Sequence, residues 1–235
     1  MAKSSSRPVD RAFTLIELIV VLAIIAIMMS LTYPVYLTIS QRAKATKDMS
    51  NLRQIGMGTQ TYMNDKDGAF PGSATVTWMS QLELNQKYLS VWRIFESPFD
   101  TRSTSEQGNG TTAVSYGINS NVYSGGVAIS ADKITKPTVF IVFAPAQAST
   151  ATVSFAGAGN SPAPGVKVLA QVSTPPGGNA QGGTHNSRTK INALFADWHV
   201  ETMSWSGTGP AFTNTTSTGG DPDGNLRWTP YTPYP

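Results

Sequence analysis

Residues 13–31, FTLIELIVVLAIIAIMMSL, form a nineteen-residue run whose single charge is Glu17. At about 1.5 Å per residue, a helix of that length reaches roughly 29 Å, close to the ~30 Å hydrocarbon core of a bilayer. A carboxylate inside such a span has a cost. Insertion scales put an acid at the centre of a spanning helix at roughly 2.5–3.5 kcal/mol, and lower near an end. A snorkelling acid near the helix end is the bland explanation. An ionisable residue within a span is otherwise a functional site by default.

The flanks narrow the choice. The segment before the run, MAKSSSRPVDRA, carries Lys3, Arg7 and Arg11 against one acid, Asp10, and basic residues beside a span hold that side in the cytoplasm. A secretory signal would have a shorter apolar stretch followed by a small-residue cleavage site. Here the apolar stretch is longer, and Ser30-Leu31-Thr32-Tyr33-Pro34 follows it. The small residue placed for cutting is Ala12, before the run.

The stretch Ala12-Phe13-Thr14-Leu15-Ile16-Glu17-Leu18-Ile19-Val20 resembles the class III signal of type IV pilins and type II secretion pseudopilins. The resemblance implies cleavage by a prepilin peptidase between Ala12 and Phe13, with methylation of the new Phe13 amine. It implies that Glu17 pairs with the N-terminal amine of a neighbouring subunit during assembly. Pro34 falls where many of these proteins carry a helix-kinking proline. One departure is Ala12, where the family usually has Gly. Electrostatics agree with the pairing role. Two unit charges 4 Å apart attract by about 4 kcal/mol at an effective dielectric near 20, and pairing across a subunit interface relieves two charges that lack partners in lipid.

Composition sets further bounds. The 235 residues suffice for a membrane helix and one globular domain. Net charge is +3, but the first twelve residues hold three bases against one acid, so the remainder is close to +1. The pI of about 9.1 is therefore a weak argument for nucleic-acid binding, and none is expected of the subunit. With no cysteine, disulfides and thiolate metal sites are excluded.

The helix is expected to continue past the membrane. Met49, Leu52, Ile55, Thr59 and Tyr62 recur every three or four residues as one apolar face, while Arg42, Lys44, Lys47, Asp48 and Arg53 form a polar face. The pattern ends at Asp65-Lys66-Asp67-Gly68, and Pro71 enforces the stop. One helix from Phe13 to Asn64 follows. A short helix is expected over 77–90, on Trp78, Leu82 and Leu89. Strands are expected at 114–116, 138–143, 166–172, 192–195 and 200–205. Loops rich in Gly, Ser and Pro occupy 157–164 and 174–183. The expected organisation is a leader at 1–12, a transmembrane and assembly helix at 13–38, an amphipathic continuation at 39–67, and a domain at 68–235. The fold class is α+β: a long N-terminal helix packed on a small antiparallel sheet, which is also the pilin fold.

Fragments of the domain resemble the large pilin-like families common in planctomycetes. Their C-terminal signature is a His, about nine residues, then Asp-Gly. Here His185 is followed after eleven residues by Asp197-Trp198, with Trp198 in place of Gly, inside Phe195-Ala196-Asp197-Trp198-His199-Val200. Ser97 stands in Phe95-Glu96-Ser97-Pro98-Phe99-Asp100 where that family has Cys. Ser115-Tyr116-Gly117-Ile118-Asn119 fits its Ser-Tyr-x-x-Asn.

Catalytic signatures are absent from the sequence: it has no Gly-x-Ser-x-Gly, Walker or Gly-x-Gly-x-x-Gly motif. His185, Asp197 and His199 are metal-capable residues, with structural hydrogen bonding as the simpler reading. Asp221, Asp223 and Asn225 space oxygens as a calcium loop begins, without the Gly and Glu that complete one. Calcium is thus a candidate cofactor, and otherwise none is expected. The reading is a non-enzymatic subunit of a pilus-like fibre, a pseudopilin of a type II secretion-like system. A type IV pilin for adhesion, motility or DNA uptake shares this N-terminus. The rival from another class is a membrane-anchored ligand-binding module. The resemblance implies as partners prepilin peptidase, copies of the chain and other pilin-like subunits, an inner-membrane assembly platform and membrane lipid. It implies a single-pass inner-membrane protein, its N-terminus cytoplasmic and its domain periplasmic or extracellular.

Overall fold

The computed structural model describes residues 13–73, 76–83, 87–100, 115–124, 126–145, 155, 183–186 and 189–204. Helix α1 (Leu15–Asn64) is fifty residues long, and the chain divides into two compact units at Arg42/Ala43.

In the first unit, every large apolar residue from Leu15 to Ile39 is exposed, and the most apolar window is wholly unburied. The segment is long and apolar enough to cross a membrane. Apolar surface that continuous is characteristic of a lipid-facing or subunit-facing element.

The second unit holds the core. There α1 changes character: Leu52, Ile55, Gly56, Gly58, Thr59, Tyr62 and Met63 are buried. Gly58 is required by packing, since a Cβ there would stand 2.7 Å from Cγ of Leu89. The helix ends as its sequence demands. Asp67 and Gly68 take positive φ (51° and 80°), and the Gly68 N–H donates to the Met63 carbonyl at 2.9 Å, satisfying a terminal acceptor.

Helix α2 (Trp78–Glu83) is shorter than expected, although Leu89 beyond it is buried. Trp78 stands edge-on to Phe95 and Phe143, with ring centroids 5.2 and 4.8 Å apart. Strands β1 (Tyr116–Ile118), β4 (Ile141–Pro145), β5 (Lys190–Phe195) and β6 (Val200–Ser204) form an antiparallel sheet in the order β1-β4-β5-β6. A separate two-stranded ribbon pairs β2 (Tyr123–Ser124) with β3 (Val127–Ala128). The architecture is α+β, a long apolar N-terminal helix with an antiparallel sheet, consistent with the pilin fold.

Several strand boundaries differ from sequence expectation, for local reasons. The strand expected at 138–143 begins at Ile141, because the N–H groups of Val139 and Phe140 both donate to Lys136 O in a turn around Pro137. The strand expected at 114–116 runs from Tyr116 to Ile118, with Gly117 inside it. Alternation does not mark β4 because all five of its residues are buried, as in a strand covered on both faces. Phe143, Val142 and Leu194 join the core with α1, while Ile141, Ala144, Ile191, Ala193 and Phe195 form a second buried cluster. The candidate strand at 166–172 and the loop at 157–164 lie outside the described residues.

The membrane-length half of α1 contributes no buried residue before Asp48. A chain beginning at Ile39 should therefore be monomeric and unfold in one cooperative transition, as read by sizing chromatography and thermal circular dichroism. A molten or aggregating product would mean that residues 13–38 also support the domain.

Candidate functional site: the helix N-terminus and a buried carboxylate

The start of α1 is built around Glu17. Thr14 precedes the first helical residue, Leu15, and Glu17 is the third. Thr14 donates to Glu17 Oε2 through its backbone N–H at 2.9 Å and its hydroxyl at 2.8 Å, while Thr14 Oγ1 accepts the Glu17 N–H at 3.3 Å. This reciprocal pattern is a capping box, which satisfies terminal donors that a helix leaves open. The carboxylate expected to meet a neighbour's amine is thus held at the helix entrance by its own turn. Phe13, just outside the helix, is 79% exposed. Ala12 lies outside the described residues.

Pro34 sits inside α1, which runs unbroken through it. Proline gives no N–H to the preceding turn. Hydroxyls make extra bonds to carbonyls around it: Ser30 to Ile27 O (2.8 Å), Thr32 to Met28 O (2.9 Å) and Thr38 to Pro34 O (3.1 Å).

The second constellation was not evident in the sequence. Asp48, assigned there to the polar face of α1, is fully buried, while Met49, assigned to the apolar face, is only half-buried. Oδ1 of Asp48 accepts from Ser97 Oγ at 2.8 Å and from the Tyr116 hydroxyl at 2.6 Å, and Oδ2 accepts from Asn192 Nδ2 at 2.9 Å. Asn192 also donates to Ala45 O at 3.0 Å and accepts from the Thr202 hydroxyl at 2.7 Å. Asn51, one turn beyond Asp48, donates to Glu96 O at 2.7 Å. Helix, loop, β1, β5 and β6 meet in this network. Burial pushes the Asp48 carboxyl above its usual range, against the pull of its three donors. Burial and the adjacent carboxylate push the Tyr116 hydroxyl well above its own. One signal pointed to Asp48: it lies four residues before Leu52, on the apolar stripe itself.

The fragments that suggested a subfamily find physical roles. Ser97 and Tyr116 hold Asp48. Ser115 Oγ donates to Asp100 at 2.7 Å, and Asn119 Nδ2 donates to Ile141 O at 2.9 Å. Trp198, standing where that family has Gly, has φ of 71°. A left-handed residue without glycine's freedom costs about 1–2 kcal/mol, and the ring packs against the core as partial compensation.

The metal-capable residues are not brought together. His185 bridges Lys190 at one end of β5, and His199 follows the other end, about 16 Å away at strand rise. Asp197 and His199 lie in the β5–β6 turn rather than on a strand. There His199 Nδ1 bonds Asp197, Nε2 lies 3.7 Å from Glu201, and the ring stacks on Phe195 at 4.3 Å. Among the described residues, no group of three or more His, Asp or Glu side chains is placed to hold a metal ion. Asp221, Asp223 and Asn225 lie outside the described residues.

Residues 7–33 match the prokaryotic N-terminal methylation motif. The chain is 33% identical over 67 residues to a protein of Myxococcus xanthus (strain DK1622) described as type IV major pilin protein PilA. That match covers 28% of this chain and 30% of the relative, so the chain aligns with less than a third of the relative's length. No solved structure matches. Signal motif, apolar helix and antiparallel sheet together support a type IV pilin-like protein. The same motif and helix mark it for membrane anchoring.

His185 supplies a pH test of the fold. It is buried, stacked on Phe99 at 5.3 Å and next to Lys190. Burial, with the Lys190 charge, lowers its pKa to about 4 from 6.5. Between those values the unfolded chain takes up a proton that the folded chain refuses, so stability falls as pH drops from about 6.5 to about 4. Urea unfolding at pH 7 and pH 4.5 should show a smaller loss for His185→Phe than for the parent chain. Equal losses would place the titration elsewhere.

Proposed function

We propose that this chain is a structural subunit of a pilus-like fibre, a pseudopilin of a type II secretion-like machine with no catalytic role. The observation that carries the reading is Glu17: one carboxylate in an otherwise uncharged membrane-length helix, within the matched methylation motif and five positions after Ala12. In this reading prepilin peptidase cuts between Ala12 and Phe13 and the Phe13 amine is methylated. The chain crosses the inner membrane once, from a cytoplasmic N-terminus to a periplasmic or fibre-borne domain. Its partners are copies of itself, other pilin-like subunits, the inner-membrane assembly platform and lipid. The similarity to a type IV major pilin favours a second reading, a type IV pilin, which shares every one of these steps. Calcium at Asp221, Asp223 and Asn225 remains part of the proposal as a candidate ligand of the C-terminal segment.

Pairing follows from the energetics of lipid. A new amine at Phe13 and the Glu17 carboxylate each lack a partner in hydrocarbon, and an incoming subunit supplies both. The Thr14 capping box keeps the carboxylate hydrogen-bonded beforehand.

Processing is read by N-terminal sequencing and mass spectrometry of the membrane form. Co-expression with prepilin peptidase should give a chain starting at methylated Phe13. A start at Met1, or after Ser30, would overturn the assignment.

Glu17→Gln tests assembly. It keeps the span and removes the charge, so the membrane pool should be equal or larger, by up to a few kcal/mol of relieved insertion cost. Fibre yield on shearing should fall at least tenfold, with Glu17→Asp intermediate. Normal yield from the Gln variant would show that the carboxylate is not the assembly contact.

A further inference from the structure

Positive charge on this chain is concentrated where the apolar half of α1 ends. Residues 40–64 carry Arg42, Lys44, Lys47 and Arg53 against one acid, Asp48, which is buried. The exposed apolar run closes at Ile39, and Lys44 follows five residues later, about 7.5 Å along a helix. Tyr33 and Tyr36, both exposed, come just before, where amphipathic rings collect at a membrane–water interface.

The sheet adds a base to the same end of the second unit. On β5, Leu194 packs against Gly56, and Asn192 bonds Ala45 O and Asp48. Side chains two residues apart share one face of a strand. Lys190 therefore continues this line by about 6.6 Å, past Ala45 and toward the start of the unit. Lys47 is exposed, and Lys44 and Lys190 are half-buried; long basic side chains rest their stems on a surface and extend the charged head from it. None of the three is ion-paired with a described carboxylate. Asp65 and Asp67 stand at the other end of the helix, with Asp65 about 27 Å from Lys47 at helix rise. One pole of the unit is basic, and it is the pole at which the chain arrives from the apolar run.

We propose that Lys44, Lys47 and Lys190 form a lipid-facing pole that binds the phosphates of anionic phospholipid headgroups on the leaflet from which the domain emerges. The inference rests on the reading of residues 13–38 as a membrane span, and it holds for either leaflet and either kind of fibre. Each basic residue at an anionic surface strengthens binding roughly fivefold, about 1 kcal/mol, so three together hold the domain against the bilayer by on the order of a hundredfold. The attraction acts within a Debye length, about 8–10 Å at ordinary salt and about 3 Å at 1 M.

The test is lysine footprinting of the full chain in nanodiscs, a single chain to each disc, with a brief amine-acylating pulse read by mass spectrometry. Discs of neutral phosphatidylcholine are compared with discs in which roughly a third of the lipid is phosphatidylglycerol, at about 0.1 M salt. Lys66 and Lys133 are exposed internal references at the far end, where the Ala69–Ser130 bridge ties their segments together. Lys44, Lys47 and Lys190 should react at least about threefold more slowly in the anionic discs, with the references unchanged and the protection gone at about 1 M salt. Lys190→Gln should weaken the protection of Lys44 and Lys47. Equal rates in the two lipids, or protection that survives Lys190→Gln in full, would overturn the inference, because the tether alone would then set the distance. Protection produced by inorganic phosphate in neutral discs would overturn it in favour of a small-anion site, and protection confined to discs with several chains would assign the pole to a second copy. A chain that fails to enter the discs overturns the spanning reading along with this one; an inserted chain, its span shielded from protease, with no lipid-dependent protection overturns this one alone.

Discussion

One buried carboxylate organises the folded half of this chain. Asp48 leaves water on the inward face of a helix, which is unfavourable unless its oxygens find donors. The donors come from a loop, β1 and β5, and Asn192 ties in β6 through Thr202 and the helix backbone through Ala45 O. Each strand of the main sheet except β4 is therefore linked by side-chain bonds to the helix or to its anchor. Strand β4 is fixed by ladder pairing on both sides. The apolar core around Trp78, Phe95 and Phe143 supplies the gross burial, and the polar network ties the helix to the loop and the sheet beside it.

The two halves of α1 obey different solvents. Before Arg42 the helix is apolar on all sides, as a lipid environment or a bundle of like helices requires. After Ala43 it is amphipathic, and two glycines let Leu89 and Leu194 approach its backbone. Charge is treated differently in each half as well. Glu17 is bonded to its own turn through Thr14, which leaves it close to the helix entrance and to the Phe13 backbone. Asp48 is bonded to distant elements, which removes it from any exchange with solvent. The first carboxylate is bonded only within its own turn, the second to residues from three other parts of the chain.

The β5–β6 hairpin shows how a signature residue acquires a physical meaning. The position that carries Gly in the resembling family is held here by Trp198 in a left-handed conformation. The backbone shape is thus required by the turn, and the tryptophan compensates by covering core residues near Gly56. His185 and Asp197, which spacing links into one motif, stand at opposite ends of β5 and serve separate neighbourhoods.

The sequence alone determined the features that depend on local order: the membrane-length run, the acid within it, the helix end at Asp65–Gly68, and the α+β class. Each rests on periodicity, on a capping or turn residue, or on a contiguous signal, and none needs knowledge of distant contacts. The strands were harder, because β4 is buried on both faces and carries no alternation, and because Pro137 delays its start through a turn. Asp48 was misplaced for a related reason. Flanked by Arg42, Lys44 and Lys47, it has the local composition of a solvated face, and only its phase with Leu52 pointed inward. What made burial of that carboxylate tolerable was the arrival of Ser97, Tyr116 and Asn192, residues 49 to 144 positions away along the chain. A local pattern can show that a helix has an inward side. Only the tertiary fold could bring the donors that let a charge-bearing residue occupy it.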